Sequence, residues 1–125
     1  MAEEVTVRAG TTDDLLAVVR VLDAAMLESD SRVLRERLAS GEVLVAERDA
    51  FVVGALVLDD GHVDAVAVKR SYRDRGVGTA LIEAATDRVR GSLTADFDPD
   101  VRAFYESIGF HVEERGRRLW GVYES

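Results

Sequence analysis

Lys69-Arg70-Ser71-Tyr72-Arg73-Asp74-Arg75-Gly76-Val77-Gly78-Thr79-Ala80-Leu81 is the stretch on which the reading of the fold turns. Its basic side chains Lys69, Arg70, Arg73 and Arg75 crowd into seven positions of a chain that carries 16 Lys and Arg against 24 Asp and Glu. From Gly76 onward the apolar period changes from that of a strand to that of a helix, because Val77, Ala80, Leu81, Ala84 and Ala85 share one helical face. At such a junction the bare N–H groups of the first helical turn and the helix dipole point at one spot, which suits two linked phosphates. Glycine there keeps side chains out of the way of a phosphate, and at position 76 it also admits a positive φ.

Upstream, His62 to Val68 reads as a strand. Before it, Val43 to Glu47 and Phe51 to Leu58 read as two more, joined by a charged turn at Arg48 and Asp49. Asp59, Asp60 and Gly61 make the next turn, so the three strands predict an antiparallel meander. A short strand from Val5 to Arg8 precedes a helix capped by Thr11 or Thr12, in which Leu15, Val18, Val19, Leu22, Ala25 and Met26 fall at helical spacing. A second helix follows Ser29, Asp30 and Ser31, uses Leu34 and Leu38, and ends near Gly41.

Downstream, Gly91 is placed to end the helix that starts at Val77, and Ser92 to Phe97 reads as a strand. Asp98 followed by Pro99 starts another helix, closed by Gly109. Phe110 to Glu114 and Leu119 to Tyr123 form a last hairpin around Gly116. The order predicts one α/β domain over residues 1–125, built on a mixed, mostly antiparallel sheet of about seven strands flanked by four helices.

The composition agrees with a packed domain: 125 residues, 47% hydrophobic and 32% charged. The longest apolar run, Phe51 to Leu58, is far short of the roughly 20 residues of a membrane helix. Met1 to Val7 holds no basic residue ahead of its apolar positions, so no secretory leader, no membrane attachment and a cytoplasmic location are expected. The absence of cysteine excludes disulfides and thiolate chemistry, and two histidines do not predict a metal site. A net charge of −8 disfavours nucleic acid as a partner. Lys69 is the single lysine, and this preference for arginine in an acidic chain is shared with proteins of salt-loving microbes, so salt tolerance is expected.

Two nucleotide-binding readings fail on the residues. A dinucleotide fingerprint needs a third glycine where Leu81 stands, and a P-loop needs Gly-Lys-Ser/Thr. What remains resembles the GNAT acetyltransferases, whose motif is a small apolar strand end, then Gln/Arg-x-x-Gly-x-Gly/Ala, then a helix. The chain reads Val66-Ala67-Val68, then Arg73-Asp74-Arg75-Gly76-Val77-Gly78. A second signature of that family corresponds to Phe104-Tyr105-Glu106-Ser107-Ile108-Gly109-Phe110.

The resemblance implies acetyl-CoA as acyl donor and no metal. It gives the pyrophosphate to the Arg73 side chain and the amides of Arg75, Gly76, Val77, Gly78 and Thr79, and the pantetheine to the backbone of Val66, Ala67 and Val68, with an amide near Val68 polarising the thioester carbonyl. Tyr105 matches the position that protonates the departing thiolate, while Val101, Tyr105 and Ile108 also share a helical face that suits a core. The base belongs on the strand before the motif, where His62 and Asp64 alternate onto one face. Asp98 stands where the family prefers asparagine and is read as a cap. Lys69 and Arg70 fit either the 3′-phosphate or solvent, and Trp120 is read as core. The implied acceptor is a primary amine on a small molecule or on a protein or peptide, and a cationic one is favoured by the acidic surface. The chain is expected to act as a monomer or homodimer. The competing reading is an acyl-CoA-binding module that kept the cofactor site and lost efficient chemistry.

Overall fold

A computed structural model describes residues 5–124; the reading of Met1 to Glu4 as free of a leader lies outside them. The elements are β1 (Thr6–Ala9), α1 (Leu15–Ala24), α2 (Ser31–Ala39), β2 (Val43–Arg48), β3 (Phe51–Asp59), β4 (His62–Val68), α3 (Val77–Arg88), β5 (Ser92–Phe97), α4 (Arg102–Ile108), β6 (His111–Arg115) and β7 (Arg118–Glu124). They build one seven-stranded sheet in the order β1-β2-β3-β4-β5-β7-β6, antiparallel throughout except where β4 meets β5. The predicted α/β architecture is the one observed.

β3 is buried without interruption from Val52 to Leu58, because both faces of this half of the sheet are covered. On one face α1 and α2 pack Val18, Leu22, Leu34 and Leu38 against Val43, Val45, Ala55 and Val57. On the other, α3 packs Leu81 and Ile82 against Leu44, Val53 and Leu56, and α4 adds Tyr105. Each hairpin turn follows from its residues: Asp49 and Ala50 (φ 51° and 70°) and Asp60 and Gly61 (φ 48° and 82°) are left-handed pairs, as two-residue type I′ loops require.

α3 differs from the sequence reading at two points. It buries Val77, Leu81, Ile82 and Ala85, while Ala80 and Ala84 are half-buried, because the helix turns its branched side chains onto the sheet. It also ends at Arg88, where Val89 turns extended, before Gly91 is reached. The N-terminus of α3 comes down close to the sheet because of Gly54. A Cβ there would stand 3.1 Å from Val77 Cγ1 and 3.2 Å from both Leu81 Cδ1 and the Ala67 carbonyl.

α1 ends in a Schellman motif, with Leu27 N–H donating to the Leu22 carbonyl (3.0 Å) and Met26 N–H to the Asp23 carbonyl (2.9 Å). The left-handed position is held by Met26 (φ 60°), 91% exposed, where glycine is the usual occupant. Met26→Gly should therefore raise stability by about 0.5–1 kcal/mol, the relief of left-handed strain less the added freedom of the unfolded chain, as urea denaturation will show.

Thr11 caps the 3₁₀ turn that leads into α1 through a capping box with Asp14. Arg8 donates to both oxygens of Asp14 (2.8 and 3.0 Å) and to Glu47 (3.1 Å), tying β1, this turn and β2 together. The Arg8 hydrogen bond outweighs burial and, with the Thr11 amide, holds the Asp14 carboxyl below the usual aspartate range. A depressed folded value stabilises the protein above about pH 4, and the contribution is lost as the pH falls through that value. Asp14→Asn should cost about 1–2 kcal/mol at neutral pH. Denaturation in acid should show that gap narrowing as the pH falls through the depressed value.

Two irregularities shape the middle of the sheet. Val57 pairs with Ala65 but Leu58 with Val63, so Asp64 is an extra residue in β4. Val63 accordingly packs with the α3 side and Ala65 with the α1 side. Further along, β4 and β5 pair only at His62 with Thr94 and Val63 with Ala95, and then part.

Candidate active site

After β4 the chain makes one 3₁₀ turn, Arg70–Tyr72, and then a tight turn in which Asp74 (φ 62°) and Gly76 (φ 81°) are both left-handed. No atom lies within 4 Å of the place a Cβ would take on Gly76, so the space before the turn is open. Helical bonding begins with Ala80 N–H donating to the Gly76 carbonyl (3.0 Å), which leaves the amides of Val77 to Thr79 ahead of the ladder at the positive end of α3. Arg73 folds back so that its Nε donates to the Val68 carbonyl (3.2 Å), fixing the guanidinium at the end of β4.

A groove of about 430 Å³ runs along this turn and onto β4. Val66, Ala67, Val68, Arg73, Gly76, Val77, Gly78 and Thr79, all named from the sequence, line it, together with Asp74 and Phe104. Arg75 does not; its guanidinium lies over the Tyr72 ring at 5.5 Å. Lys69 and Arg70 are exposed and also stand outside the groove lining.

Past Val63 the edge of β4 that borders the groove is bare of a strand partner, and the Val68 carbonyl on it accepts from Arg73. Lys69 N–H donates to the Val53 carbonyl (2.8 Å), so by the alternation of an antiparallel ladder the N–H and C=O groups of Val66 and Val68 face away from β3 and into the opening beside β5. An extended ligand can pair there as a strand would.

The groove leads, past Val66 and Phe104, to a hollow of about 300 Å³ bordered by Asp64, Asp96, Asp98, Tyr105 and Arg118. Tyr105 is 4% exposed; its ring stacks on Phe97 (4.0 Å, 12°) and meets Phe104 and Phe110 edge-on. Burial, helped by the charge of Asp96, pushes the phenol up to about 12, so it is neutral at physiological pH. The Tyr105 ring belongs to the core, and the residue borders the hollow. Asp98 caps the turn into α4, accepting from Asp100 N–H (2.8 Å).

His62 and Asp64, read from the sequence onto one face of β4, border different spaces. Asp64 borders the hollow, whereas His62 does not. Its ring nitrogens lie against Thr94 Oγ1 (2.7 Å) and Asp96 Oδ1 (2.8 Å), and its ring stacks on Trp120 (5.2 Å, 25°). Trp120, read as core, is half-buried with Arg115 over its ring at 4.3 Å. α1 and α2 cover β2, β3 and β4 on this side, and Trp120 on β7 is left to side chains. Asp96 and Arg118 were missed from the sequence. The alternation of Thr94 and Asp96 with buried Leu93, Ala95 and Phe97 marks their face, but their neighbours follow only from the register of β4 and β5.

Fold and groove define an acetyltransferase architecture, and the comparisons agree. The chain belongs to the GNAT family: the family profile described as an acetyltransferase (GNAT) domain matches residues 13–122. The chain is 29% identical over 94 residues to the uncharacterized N-acetyltransferase YafP of Escherichia coli (strain K12), covering 75% of this chain and 62% of that protein. It is 38% identical over 63 residues to the glucosamine 6-phosphate N-acetyltransferase of Trypanosoma brucei brucei, covering 47% of this chain and 43% of that one. The match thus spans less than two thirds of either relative. Among solved structures, the PaiA N-acetyltransferase of Thermoplasma acidophilum in complex with coenzyme A superposes with a TM-score of 0.78 at 14% identity, covering 98% of this chain and 99% of that one, a likeness of fold.

Proposed function

We propose that this chain transfers an acetyl group from acetyl-CoA to a primary amine, by direct attack within a ternary complex and with no covalent enzyme intermediate. The observation that carries the reading is the continuity of three features: open amides at the start of α3, the bare edge of β4, and the hollow at Tyr105. In this reading the amides from Arg75 to Thr79 and the Arg73 side chain hold the pyrophosphate. The pantetheine pairs with Val66 and Val68, and the Val68 amide polarises the thioester carbonyl. The acetyl carbon then lies where β4 and β5 part.

The acceptor enters through the hollow. Asp64, exposed and free of the pairing that commits His62, takes the proton that the attacking nitrogen must lose, directly or through water. Tyr105 stabilises the departing thiolate by hydrogen bonding and passes it a proton. Starting from an ammonium ion, one proton ends on the sulfur and one in solvent. Expulsion of the thiolate forms no new bond to the protein, so none has to be hydrolysed afterwards.

The test is release of free CoA thiol from acetyl-CoA on addition of an amine panel, with cofactor binding followed by calorimetry. Amine-dependent thiol release supports the reading. Tight binding of acetyl-CoA with no release on any amine points instead to a binding module, and no binding removes both.

A further inference from the structure

Asp96 sits on β5 just beyond the point where that strand leaves β4, and its carboxylate is held at both oxygens. Oδ1 lies 2.8 Å from His62 Nε2, and Oδ2 accepts from Arg118 Nε at 2.8 Å, while Arg118 Nη2 also donates to the Asp96 carbonyl at 3.0 Å. This fixes the plane of the carboxylate yet leaves each oxygen an unused lone pair. The side chain remains 42% exposed and borders the hollow beside Tyr105.

The grip on Asp96 is itself braced. An ionised carboxylate needs a donor, which puts the His62 hydrogen on Nε2 and leaves Nδ1 to accept from the Thr94 hydroxyl at 2.7 Å. If His62 gains a proton, the same hydroxyl accepts instead, so the bridge to Asp96 survives in either state. Trp120 stacks on the imidazole, and Arg115 lies over the Trp120 ring in turn. Burial works to raise the Asp96 pKa, but the hydrogen bonds from His62 and Arg118 outweigh it and hold the carboxyl below the usual range.

We propose that Asp96 receives the ammonium group of the acceptor, and that His62 and Arg118 are positioning residues that keep its carboxylate facing the hollow. The inference rests on the transferase reading and names the acceptor class for that site: an alkylamine that arrives protonated. Arg118 is the cation in the lining against the three carboxylates of Asp64, Asp96 and Asp98, and two of its N–H groups are held by Asp96, so an anionic acceptor would meet a net negative hollow.

Binding of butylamine and of spermidine to the full chain, with CoA present, tests this by calorimetry on wild type, Asp96→Asn and His62→Gln. Asp96→Asn should weaken both amines at least about tenfold and leave acetyl-CoA affinity within about twofold, and His62→Gln should weaken them about threefold. In turnover, Asp96→Asn should lower kcat/KM about tenfold for butylamine yet leave it nearly unchanged for aniline, which is uncharged at neutral pH. A merely structural role would move the two amines alike. Equal losses for butylamine and aniline, unaltered amine binding by Asp96→Asn, or no amine binding by wild type would each overturn the proposal. The binding arm needs no turnover, so its failure is seen apart from a failure of the transferase reading, which thiol release and acetyl-CoA binding judge.

Discussion

Tyr105→Phe should lower kcat by about 100-fold while acetyl-CoA affinity stays within about twofold. The phenylalanine ring keeps every aromatic contact that holds the tyrosine, stacked on Phe97 at 4.0 Å and edge-on to Phe104 and Phe110, so the fold is preserved. What is removed is the hydroxyl, and with it the proton offered to the sulfur. An interaction made in the transition state but not in the ground state lowers kcat and kcat/KM together, and that pairing is the signature to look for. The pH profile supplies a second readout. Because burial pushes the phenol up to about 12, wild type should show no alkaline fall from Tyr105 ionisation until well above the range of a free tyrosine. Unchanged turnover in the variant would remove Tyr105 from the chemistry and leave it as a core aromatic.

Gly76→Val should weaken acetyl-CoA binding by about 100-fold. Residue 76 is left-handed at φ 81°, a conformation that costs an ordinary residue about 1–2 kcal/mol and a branched one more. In the variant the turn relaxes toward negative φ, swinging the first amides of α3 out of line, and binding must restore them. The new side chain also enters the open space before the turn, where no protein atom lies within 4 Å and where the phosphates are proposed to sit. The two effects together come to about 3 kcal/mol, the fold-change stated. Gly76→Ala, with the strain but less of the obstruction, should fall between, near tenfold. Circular dichroism serves as the control, since Val77, Leu81 and Ile82 keep α3 on the sheet in both variants.

The sequence carried the order of elements because the signals are local. The branched residues of β2 and β3, the turn at Asp59-Asp60-Gly61 and the helical period of α3 each lie within a dozen residues, whereas the turn read at Arg48 and Asp49 falls one residue later, at Asp49-Ala50. The turn and helix start from Arg73 to Gly78 were legible for the same reason, since they are built from consecutive residues. The hollow was less so. The extra residue at Asp64 leaves no mark on the strand's own sequence, because a bulge is a property of two strands. His62 and Asp96 are 34 positions apart and meet through the parallel register of β4 and β5, which no local pattern encodes. Trp120 was misread because its surroundings depend on which half of the sheet α1 and α2 cover.

The arrangement as a whole stands on the claim that the start of α3 and the bare edge of β4 together take the cofactor. An acetyl-CoA titration of uniformly ¹⁵N-labelled protein, followed by amide NMR, tests it residue by residue. The largest shifts should fall on the amides from Arg73 to Thr79 and on Val66 and Val68. Saturation that leaves those amides unmoved, or perturbs a different face of the protein, would contradict it.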